Sequence, residues 1–317
     1  MLMNRIASSV EAPDSVLALI GNTPIQALNR ITAKLGVQGK LIAKLENLNP
    51  GGSMKDRIAV AIIRDALARG DLRPGQPVLE VTSGNTGIGL ALVCRAMGHP
   101  FYAVMSRAEP RQRPLVDQHP GGMPGRVTGE DMTLVKERAA DVREQRGAYF
   151  ANQFENPANA EAHFQTTGPE LWKQCDGKLD AIVAFAGTGG ALGGLARYFH
   201  HKNPAIRVYA VEPSCAASLA SACCFESAHL IQGGGYGKPT LNHVCPADID
   251  GYLQCADEDA VQAARLLARE EGIFGGYSTG AHLHAAIELL RGREAGNIIA
   301  FLVCDTGMKY LSTDLYP

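Results

Sequence analysis

Short apolar runs alternate along the chain with segments whose apolar residues recur at helical spacing. The runs are Leu41–Leu45, Val78–Val81, Phe101–Met105, Ala181–Phe185, Val208–Val211 and Ile298–Cys304. Continuous apolar character over so few residues is typical of strands that are buried on both faces. Ile58, Ile62 and Ala66 illustrate the helical spacing between the runs. This repeated order of strand, helix and strand predicts an α/β fold with mainly parallel sheets.

The size of the chain indicates more than one hydrophobic core. It has 317 residues, of which 46% are apolar and 20% are charged. A single core rarely extends beyond about 250–300 residues, so we expect two lobes. The least regular stretch is 106–131, whose four prolines and four glycines predict a loop.

Charge and cysteine usage exclude several classes of protein. The net charge is −2 and the isoelectric point is near 6.5, which gives no reason to expect a nucleic acid or an anionic membrane as partner. The first residues lack the apolar core of a signal peptide, and no stretch reaches the roughly 20 apolar residues of a membrane helix. None of the eight cysteines forms a C-x-x-C pair, and no zinc-ligand spacing is present. We therefore expect reduced thiols, no metal site and a cytoplasmic location.

The segment Asn49–Arg57 leads from a predicted strand into a predicted helix. Ser53, followed three residues later by Asp56, is close to a capping box and predicts that the helix begins at Ser53. Lys55 then lies in the first turn, where the helix dipole disfavours a cation. A neutral lysine amine is the form that makes a Schiff base with an aldehyde.

Two further loops lie between a strand and a helix and can bind anions. Val81–Gly87 offers hydroxyl, amide and backbone N–H groups to a carboxylate or a phosphate. In Gly187–Ala191 the glycines allow close approach of a phosphate, and Thr188 adds a hydroxyl donor. Leu192 stands where a dinucleotide fingerprint needs glycine, and the G-K-[ST] of a P-loop is missing. These features favour a cofactor with one phosphate over NAD or ATP.

The segment Gly276–Gly280 matches the G-x-S-x-G pattern of serine hydrolases. That fold requires an acid and then a histidine after the serine. Here His282 and His284 follow Ser278 before any downstream aspartate, and no histidine comes later. The order argues against a hydrolase.

Together these stretches resemble the fold-type II enzymes that use pyridoxal 5′-phosphate (PLP), specifically the cysteine synthase and cystathionine β-synthase family. The resemblance runs from Ile20–Pro24 to Asp305–Thr313 and leaves out 106–131. It implies a two-domain α/β architecture like that of the tryptophan synthase β subunit. Each domain would hold a mostly parallel sheet flanked by helices, with PLP in the cleft. The implied domains are a smaller one, 46–157, with a mobile substrate subdomain, and a larger one formed by 1–45 and 158–317.

The resemblance implies a role for each residue of the predicted site. Lys55 would carry PLP as an internal aldimine and move protons at Cα, Asn85 would bind the pyridine O3′, and Ser278 would bind the pyridine nitrogen. The implied phosphate ligands are Gly187, Thr188, Gly189 and Gly190. The implied substrate-binding residues are Thr82, Ser83, Gly84, Thr86, Gln153, Gly234 and Tyr236. A homodimer is implied as well.

The implied reaction is β-replacement on an activated L-serine through an aminoacrylate. A hydroxyl at the pyridine nitrogen makes the ring a weaker electron sink than a carboxylate would, which favours loss of a β-substituent over transamination. O-acetyl-L-serine and sulfide would give L-cysteine. Serine, O-phosphoserine or cysteine as substrate, with a different nucleophile or with sulfide release, stays open. So do dehydration of serine or threonine and a purely binding role.

Two segments depart from the family pattern. The loop Gly233–Lys238 replaces the usual G-I-G-A-G-F, and its Tyr236 is similar to a tyrosine of cystathionine β-synthases. That ring either orients a substituent of the substrate or simply fills the mouth of the cleft. The prolines of 106–131 interrupt the place of an E-R-R helix and a strand, which puts the closure of the cleft in question.

Overall fold

The computed structural model describes residues 13–82, 84–106, 125–127, 132–220 and 229–317. Within them the strands are β1 (Ile25–Ala27), β2 (Lys40–Lys44), β3 (Val78–Val81), β4 (Phe101–Ser106), β5 (Gly125–Val127), β6 (Tyr149–Phe150), β7 (Ala181–Phe185), β8 (Arg207–Pro213), β9 (Gly251–Cys255) and β10 (Ile298–Leu302). The α-helices are α1 (Asn29–Leu35), α2 (Lys55–Arg69), α3 (Asn85–Met97), α4 (Met132–Arg146), α5 (Ala158–Ala162), α6 (Gly168–Gln174), α7 (Gly190–Lys202), α8 (Asp257–Glu271) and α9 (Tyr277–Arg291). The shorter helical turns are Val16–Leu19, Glu46–Leu48, His163–Thr167, Ser214–Ala216, Pro246–Asp248 and Gly307–Tyr310.

The strands form two mostly parallel sheets. The larger has the order β1-β2-β10-β7-β8-β9, and the smaller has the order β5-β4-β3-β6. In the larger sheet β1 runs antiparallel to β2, with Ile25 opposite Lys44, and the other neighbours run parallel. The predicted α/β class with parallel sheets is confirmed.

All six strands predicted from apolar runs are present, and the strands that the pattern missed are short or weakly apolar. β1 and β6 span three and two residues, too few for an apolar run to stand out. The expectation that 106–131 is loop throughout is wrong, because β4 includes Ser106 and β5 pairs with it. The residues of that stretch other than 106 and 125–127 lie outside the described part of the chain.

Alternate residues of the larger sheet pack on opposite sides. Val183 and Phe301 join a core with α1, α8 and α9, whereas Ile182 and Ala300 join another core with α6 and α7. The smaller sheet is also covered on both faces, by α2 and α3 on one side and by α4 on the other. Burial on both faces is the physical reason that these strands are continuously apolar in sequence.

His282 of α9 contacts the ends of the neighbouring strands β7 and β10 and is 1% exposed. Its Nε2 accepts a hydrogen bond from the backbone N–H of Phe185, and its Nδ1 donates to the carbonyl oxygen of Leu302 at 2.8 Å. This pair of partners requires a neutral ring with its proton on Nδ1. Burial lowers the pKa of His282 to about 4, although the bond to Leu302 opposes that shift.

This histidine predicts a pH dependence of stability. Between the folded pKa of about 4 and the ordinary 6.5, the unfolded state binds the extra proton, so the free energy of unfolding falls as the pH drops through that range. For one buried histidine the loss amounts to about 3 kcal/mol when it is complete. We expect denaturant titrations between pH 4.5 and 7 to show a shallower pH slope for His282→Gln than for the wild type. Exposed His201→Gln is the control, and equal slopes in all three proteins would contradict the prediction.

Candidate active site

The starts of α2 and α3, the segment after β10 and the segment before α9 lie close together. The loop before α7 is connected to them through Asn159 and Gln153. An added Cβ at Gly89 of α3 would lie 3.0 Å from the backbone oxygen of Lys55. After β10 the chain bridges to Ser53 and to Gly275 through Asp305 and Thr306. Helix N-termini carry partial positive charge and free N–H groups, so their convergence makes a site for an anionic ligand.

Lys55 is the first residue of α2, and its side chain is half-buried. Burial lowers the pKa of its amine below the ordinary value, and the acidic groups of Cys304 and Glu80 oppose this shift only in part. A lower pKa increases the neutral fraction that can attack an aldehyde. The position of Lys55 in the first turn predicted a lowered pKa from the helix dipole, and the structure adds burial as a cause.

The predicted capping box before Lys55 does not form, because the helix begins two residues later than expected. Asp56 does not reach back to Ser53; its Oδ2 accepts from the backbone N–H of Gly51 at 2.5 Å. The hydroxyl of Ser53 accepts from the N–H of Lys55 at 3.3 Å. Ser53 therefore caps the turn, while the Asp56 carboxylate holds the preceding loop.

Asn85 begins α3 and lies between the carboxyl group of Asp305 and the amine of Lys309. Its Nδ2 donates to Oδ2 of Asp305 at 2.7 Å, and its Oδ1 accepts from Nζ of Lys309 at 2.5 Å. One N–H of the amide is left for another acceptor. Lys309 also donates to the backbone oxygen of Gly51 at 2.9 Å, next to the start of α2.

The predicted carboxylate-binding residues lie around the start of α3. Thr86 donates its hydroxyl to Oε1 of Gln153 at 2.6 Å, so these two residues are brought together. Thr82 accepts from the backbone N–H of Gly84 and of Gly87, both at 3.3 Å. Ser83 lies outside the described residues.

The loop of Gly187, Thr188, Gly189 and Gly190 follows β7 and leads into α7. Gly189 has φ +88°, a conformation that glycine adopts without strain. Thr188 accepts from Nδ2 of Asn159 at 3.0 Å, which leaves its own hydroxyl proton to be donated elsewhere. A phosphate monoester fits this cradle of backbone N–H groups and one hydroxyl donor.

The second N–H of Asn159 donates to the carbonyl oxygen of Gln153 at 2.7 Å. His243 contacts the same oxygen through Nε2 at 3.1 Å. The backbone N–H of Gln153 donates to Oε2 of buried Glu80 at 3.0 Å. One amide, that of Asn159, thus connects the phosphate loop to the predicted substrate-binding glutamine.

Gly234 and Tyr236 lie on the loop that faces β7. Gly234 is buried, and an added Cβ would lie 2.3 Å from the ring of Phe185, so this position requires glycine. Tyr236 is 48% exposed, and its ring packs edge-on against Phe154 at 5.3 Å between centroids. Because Phe154 directly follows Gln153, the tyrosine lies beside the predicted carboxylate site.

Ser278 lies in the first turn of α9, beside the thiol of Cys304. Burial raises the pKa of Cys304 to about 12, which keeps that thiol protonated. Both ring nitrogens of His282 already contact the backbone, so His282 is not positioned as a base for Ser278. This geometry agrees with the argument against a serine hydrolase.

Sequence reasoning missed five residues of the site: Glu80, Asn159, His243, Cys304 and Lys309. Most of these residues contact another residue of the site. Contacts between residues that are distant in the chain produce no recognisable motif in the sequence. The sequence signal that could have identified some of them is a polar residue within or next to an apolar run. Glu80 interrupts a buried strand, and Cys304 and Asp305 follow shortly after another.

In the described part of the chain, no group of three or more His, Cys, Asp or Glu side chains is arranged to hold a metal ion. Among the same residues, no helix is long and apolar enough to cross a membrane. The six cysteines within the described ranges are free thiols.

Comparison with known proteins gives consistent results. The chain is 36% identical to the cysteine synthase of Staphylococcus aureus, over 96% of this chain and 97% of that relative. The solved structure of an O-ureido-L-serine synthase is 36% identical, with a TM-score of 0.87 over 96% of this chain and 95% of that one. O-acetyl serine sulfhydrylase isoform 3 from Entamoeba histolytica is 31% identical, with a TM-score of 0.88 over 100% of this chain and 94% of that one.

The family described as pyridoxal-phosphate dependent enzyme matches residues 16–305, which include the lysine, both anion-binding loops and the serine of α9. The loop before α7 suits the single phosphate of PLP, and the amine of Lys55 suits its aldehyde. The chain therefore belongs to the family of PLP-dependent enzymes, with the fold-type II architecture of its cysteine synthase relatives.

Proposed function

We propose that this enzyme replaces the β-substituent of an activated L-serine, with O-acetyl-L-serine and sulfide as substrates and L-cysteine as product. The observation that carries the proposal is the half-buried side chain of Lys55, whose amine has a lowered pKa and whose backbone packs against Gly89 of α3. The similarity to the cysteine synthase of S. aureus over nearly the whole chain supports the same reaction.

PLP, when bound, supplies an electron sink that makes loss of a proton from Cα and of the β-substituent possible. We assign its phosphate to Gly187, Thr188, Gly189 and Gly190. Asn85 would donate to the pyridine O3′, and the hydroxyl of Ser278 would face the pyridine nitrogen.

Lys55 would hold PLP before the reaction and take the Cα proton once substrate releases its amine. Because burial lowers the pKa of Lys55, the free amine is neutral over a wider pH range and can accept that proton. Glu80 lies near this amine, and burial raises the pKa of Glu80 to about 7. We propose that Glu80 fixes Gln153 through the backbone N–H of that residue.

The substrate carboxylate would bind at the first turn of α3. The helix N-terminus there favours an anion, and the contact between Thr86 and Gln153 brings two side chains to the same place. We also assign Thr82, Ser83 and Gly84 to this site. Gly234 and Tyr236 would border the part of the cleft that receives the β-substituent and the nucleophile.

A second candidate function is β-replacement with a nucleophile other than sulfide. The chain is as similar in percent identity to an O-ureido-L-serine synthase as to the cysteine synthase, so the comparison supports this alternative equally. The pairing of Tyr236 with Phe154 gives the mouth of the cleft an aromatic wall that a nucleophile larger than sulfide would contact. O-phosphoserine, serine and cysteine are the other substrates to compare.

We further propose a cytoplasmic homodimer with domains 46–157 and 1–45 with 158–317. The free cysteines of the described residues are typical of a reducing compartment. A groove beside α2 and α6 offers a surface for the partner subunit, with apolar Leu17 and Val60 beside charged Arg64 and Glu161. Light scattering after size-exclusion chromatography would measure the mass, and a monomer at all concentrations would contradict this part.

The reaction predicts how a Lys55→Ala variant behaves. We expect the variant to lose the visible absorbance of lysine-bound PLP and at least about a thousandfold in turnover, because both the covalent bond and the base are removed. The measurement is cysteine formation from O-acetyl-L-serine and sulfide, together with the absorbance spectrum. Lys34→Ala on α1 is a matched control. Wild-type turnover by Lys55→Ala would disprove the assignment, and absence of turnover by the wild type on any β-substituted alanine would disprove the class.

The position of Asn159 predicts an effect on cofactor binding. Asn159→Ala removes the donor that holds Thr188 and the donor that holds Gln153. Each lost buried bond costs about 1–3 kcal/mol, so we expect PLP affinity to fall about tenfold to a hundredfold. Fluorescence titration of the apoprotein with PLP measures this, with Asn29→Ala on α1 as control. Equal affinities of Asn159→Ala and wild type would show that this amide does not support the phosphate loop.

A further inference from the structure

We propose that Lys309 and Asp305 act as an orienting clamp on Asn85, so that the amide presents an N–H to the pyridine O3′. The inference rests on the proposed function, because it concerns how the site binds the cofactor ring. Lys309 and Asp305 are positioning residues in this proposal, since both act through Asn85.

A side-chain amide is nearly symmetric in shape, and a rotation by 180° exchanges its oxygen and nitrogen. An ammonium group can only donate hydrogen bonds, and an ionised carboxylate can only accept them. Lys309 donates to Oδ1 of Asn85, and Asp305 accepts from Nδ2 at 2.7 Å. The rotated amide would turn its oxygen to the carboxylate and its N–H groups to the ammonium. Both bonds would be lost, so the two charges allow one orientation.

The clamp is itself held in place by the surrounding backbone. Lys309 lies in the helical turn Gly307–Tyr310 and donates a second bond to the carbonyl oxygen of Gly51 at 2.9 Å. Asp305 is 1% exposed, and its Oδ2 also accepts the hydroxyl proton of Tyr310 at 2.6 Å. The chain at Asp305 pairs with Ser53 in an isolated bridge. Both ends of the clamp are therefore connected to the loop before α2.

The nitrogen of Asn85 carries two hydrogens, and Asp305 takes one of them. The second is left for an acceptor at the start of α3. An N–H group directed at O3′ stabilises a negative oxygen there, whereas a carbonyl oxygen in its place would repel it. The charge state of O3′ determines how lysine-bound PLP divides its absorbance between a visible and a near-ultraviolet band. The orientation of the Asn85 amide should therefore change the ratio of the visible to the near-ultraviolet absorbance of the holoenzyme.

A purely structural role for Lys309 predicts a different result. The bond to Gly51 would then be the important one, and its loss would lower the melting temperature without changing the ratio of the two bands. Measuring the band ratio and the melting temperature of the same sample separates these roles.

The experiment compares the wild-type holoenzyme with Lys309→Met and with Lys309→Arg at one pH. We expect the ratio of visible to near-ultraviolet absorbance to fall about two- to tenfold in Lys309→Met, as for loss of one hydrogen bond. Lys309→Arg keeps a cationic donor and should recover part of the ratio. Lys34→Met, which removes an exposed lysine on α1, should keep the wild-type spectrum.

The double variant tests whether Lys309 acts through Asn85. If the clamp operates, Lys309→Met adds nothing to the spectral change of Asn85→Ala, whereas independent effects would add. Additive changes, or a wild-type band ratio in Lys309→Met, would overturn the inference. A wild-type protein that binds no PLP would instead overturn the proposed function, so the two failures are distinguishable.

A measurement on the wild type covers the case in which Lys309→Met does not fold. In a crystal structure of the PLP-bound enzyme, we expect Nζ of Lys309 and Oδ2 of Asp305 to stay within about 3.2 Å of the Asn85 amide. Nδ2 should lie at hydrogen-bonding distance from O3′. Separation of either charged group from the amide would refute the clamp.

Discussion

Arg57 lies two residues after Lys55, and its guanidinium binds two carboxylates inside the protein. It donates to both oxygens of Glu46, at 2.6 and 2.7 Å, and to both oxygens of Glu170, at 2.7 Å each. Lys44 of β2 donates to Glu170 as well, at 2.7 Å. Burial by itself would raise the pKa of Glu170, but the bonds from Arg57 and Lys44 hold it at about 2. These charges fix the start of α2 to β2 and α6.

The position of the Lys55 amine depends on that anchor. Removing one partner from a buried ion pair costs about 3–5 kcal/mol, because the other charge stays buried without compensation. The first turn of α2 is therefore held with little freedom, and Lys55 emerges from it beside Glu80 and Cys304. The same arrangement that stabilises the fold keeps the amine partly out of water and so lowers its pKa. Burial therefore has two effects here. It encloses the ion pairs of Arg57 that hold the start of α2, and it lowers the pKa of the nearby Lys55 amine.

Polar residues that bind other polar residues connect the parts of the site. Asn159 joins the phosphate loop to Gln153, and Asp305 joins the end of β10 to the start of α3. A buried network of this kind specifies one arrangement, since each missing bond leaves an unsatisfied group. The predicted substrate site, cofactor site and reactive lysine are therefore parts of one connected structure.

Prediction from the sequence succeeded where a local pattern has one physical meaning. Apolar runs located six strands, since a strand buried on both faces is mostly apolar and its few polar residues need buried partners. The glycine loops and Lys55 marked helix starts, because free N–H groups and close backbone approach occur there. Prediction failed at Ser53, where the helix begins two residues later and Asp56 turns to Gly51. A capping box and a loop contact use the same residue types, so spacing alone does not distinguish them.

The sequence by itself determined the α/β class, the resemblance to a PLP-dependent family and the residue types that would carry the chemistry. Only the tertiary structure decided which distant side chains meet. Asn85 and Lys309 are 224 positions apart, and Asn159 and Thr188 are 29 apart. Their contacts arise because the parallel strands bring their carboxyl ends, and the helices that follow, to the same edges. Burial, which lowers the pKa of Lys55, and the contacts of Asn85 with Asp305 and Lys309 are properties of that packing and not of any segment alone.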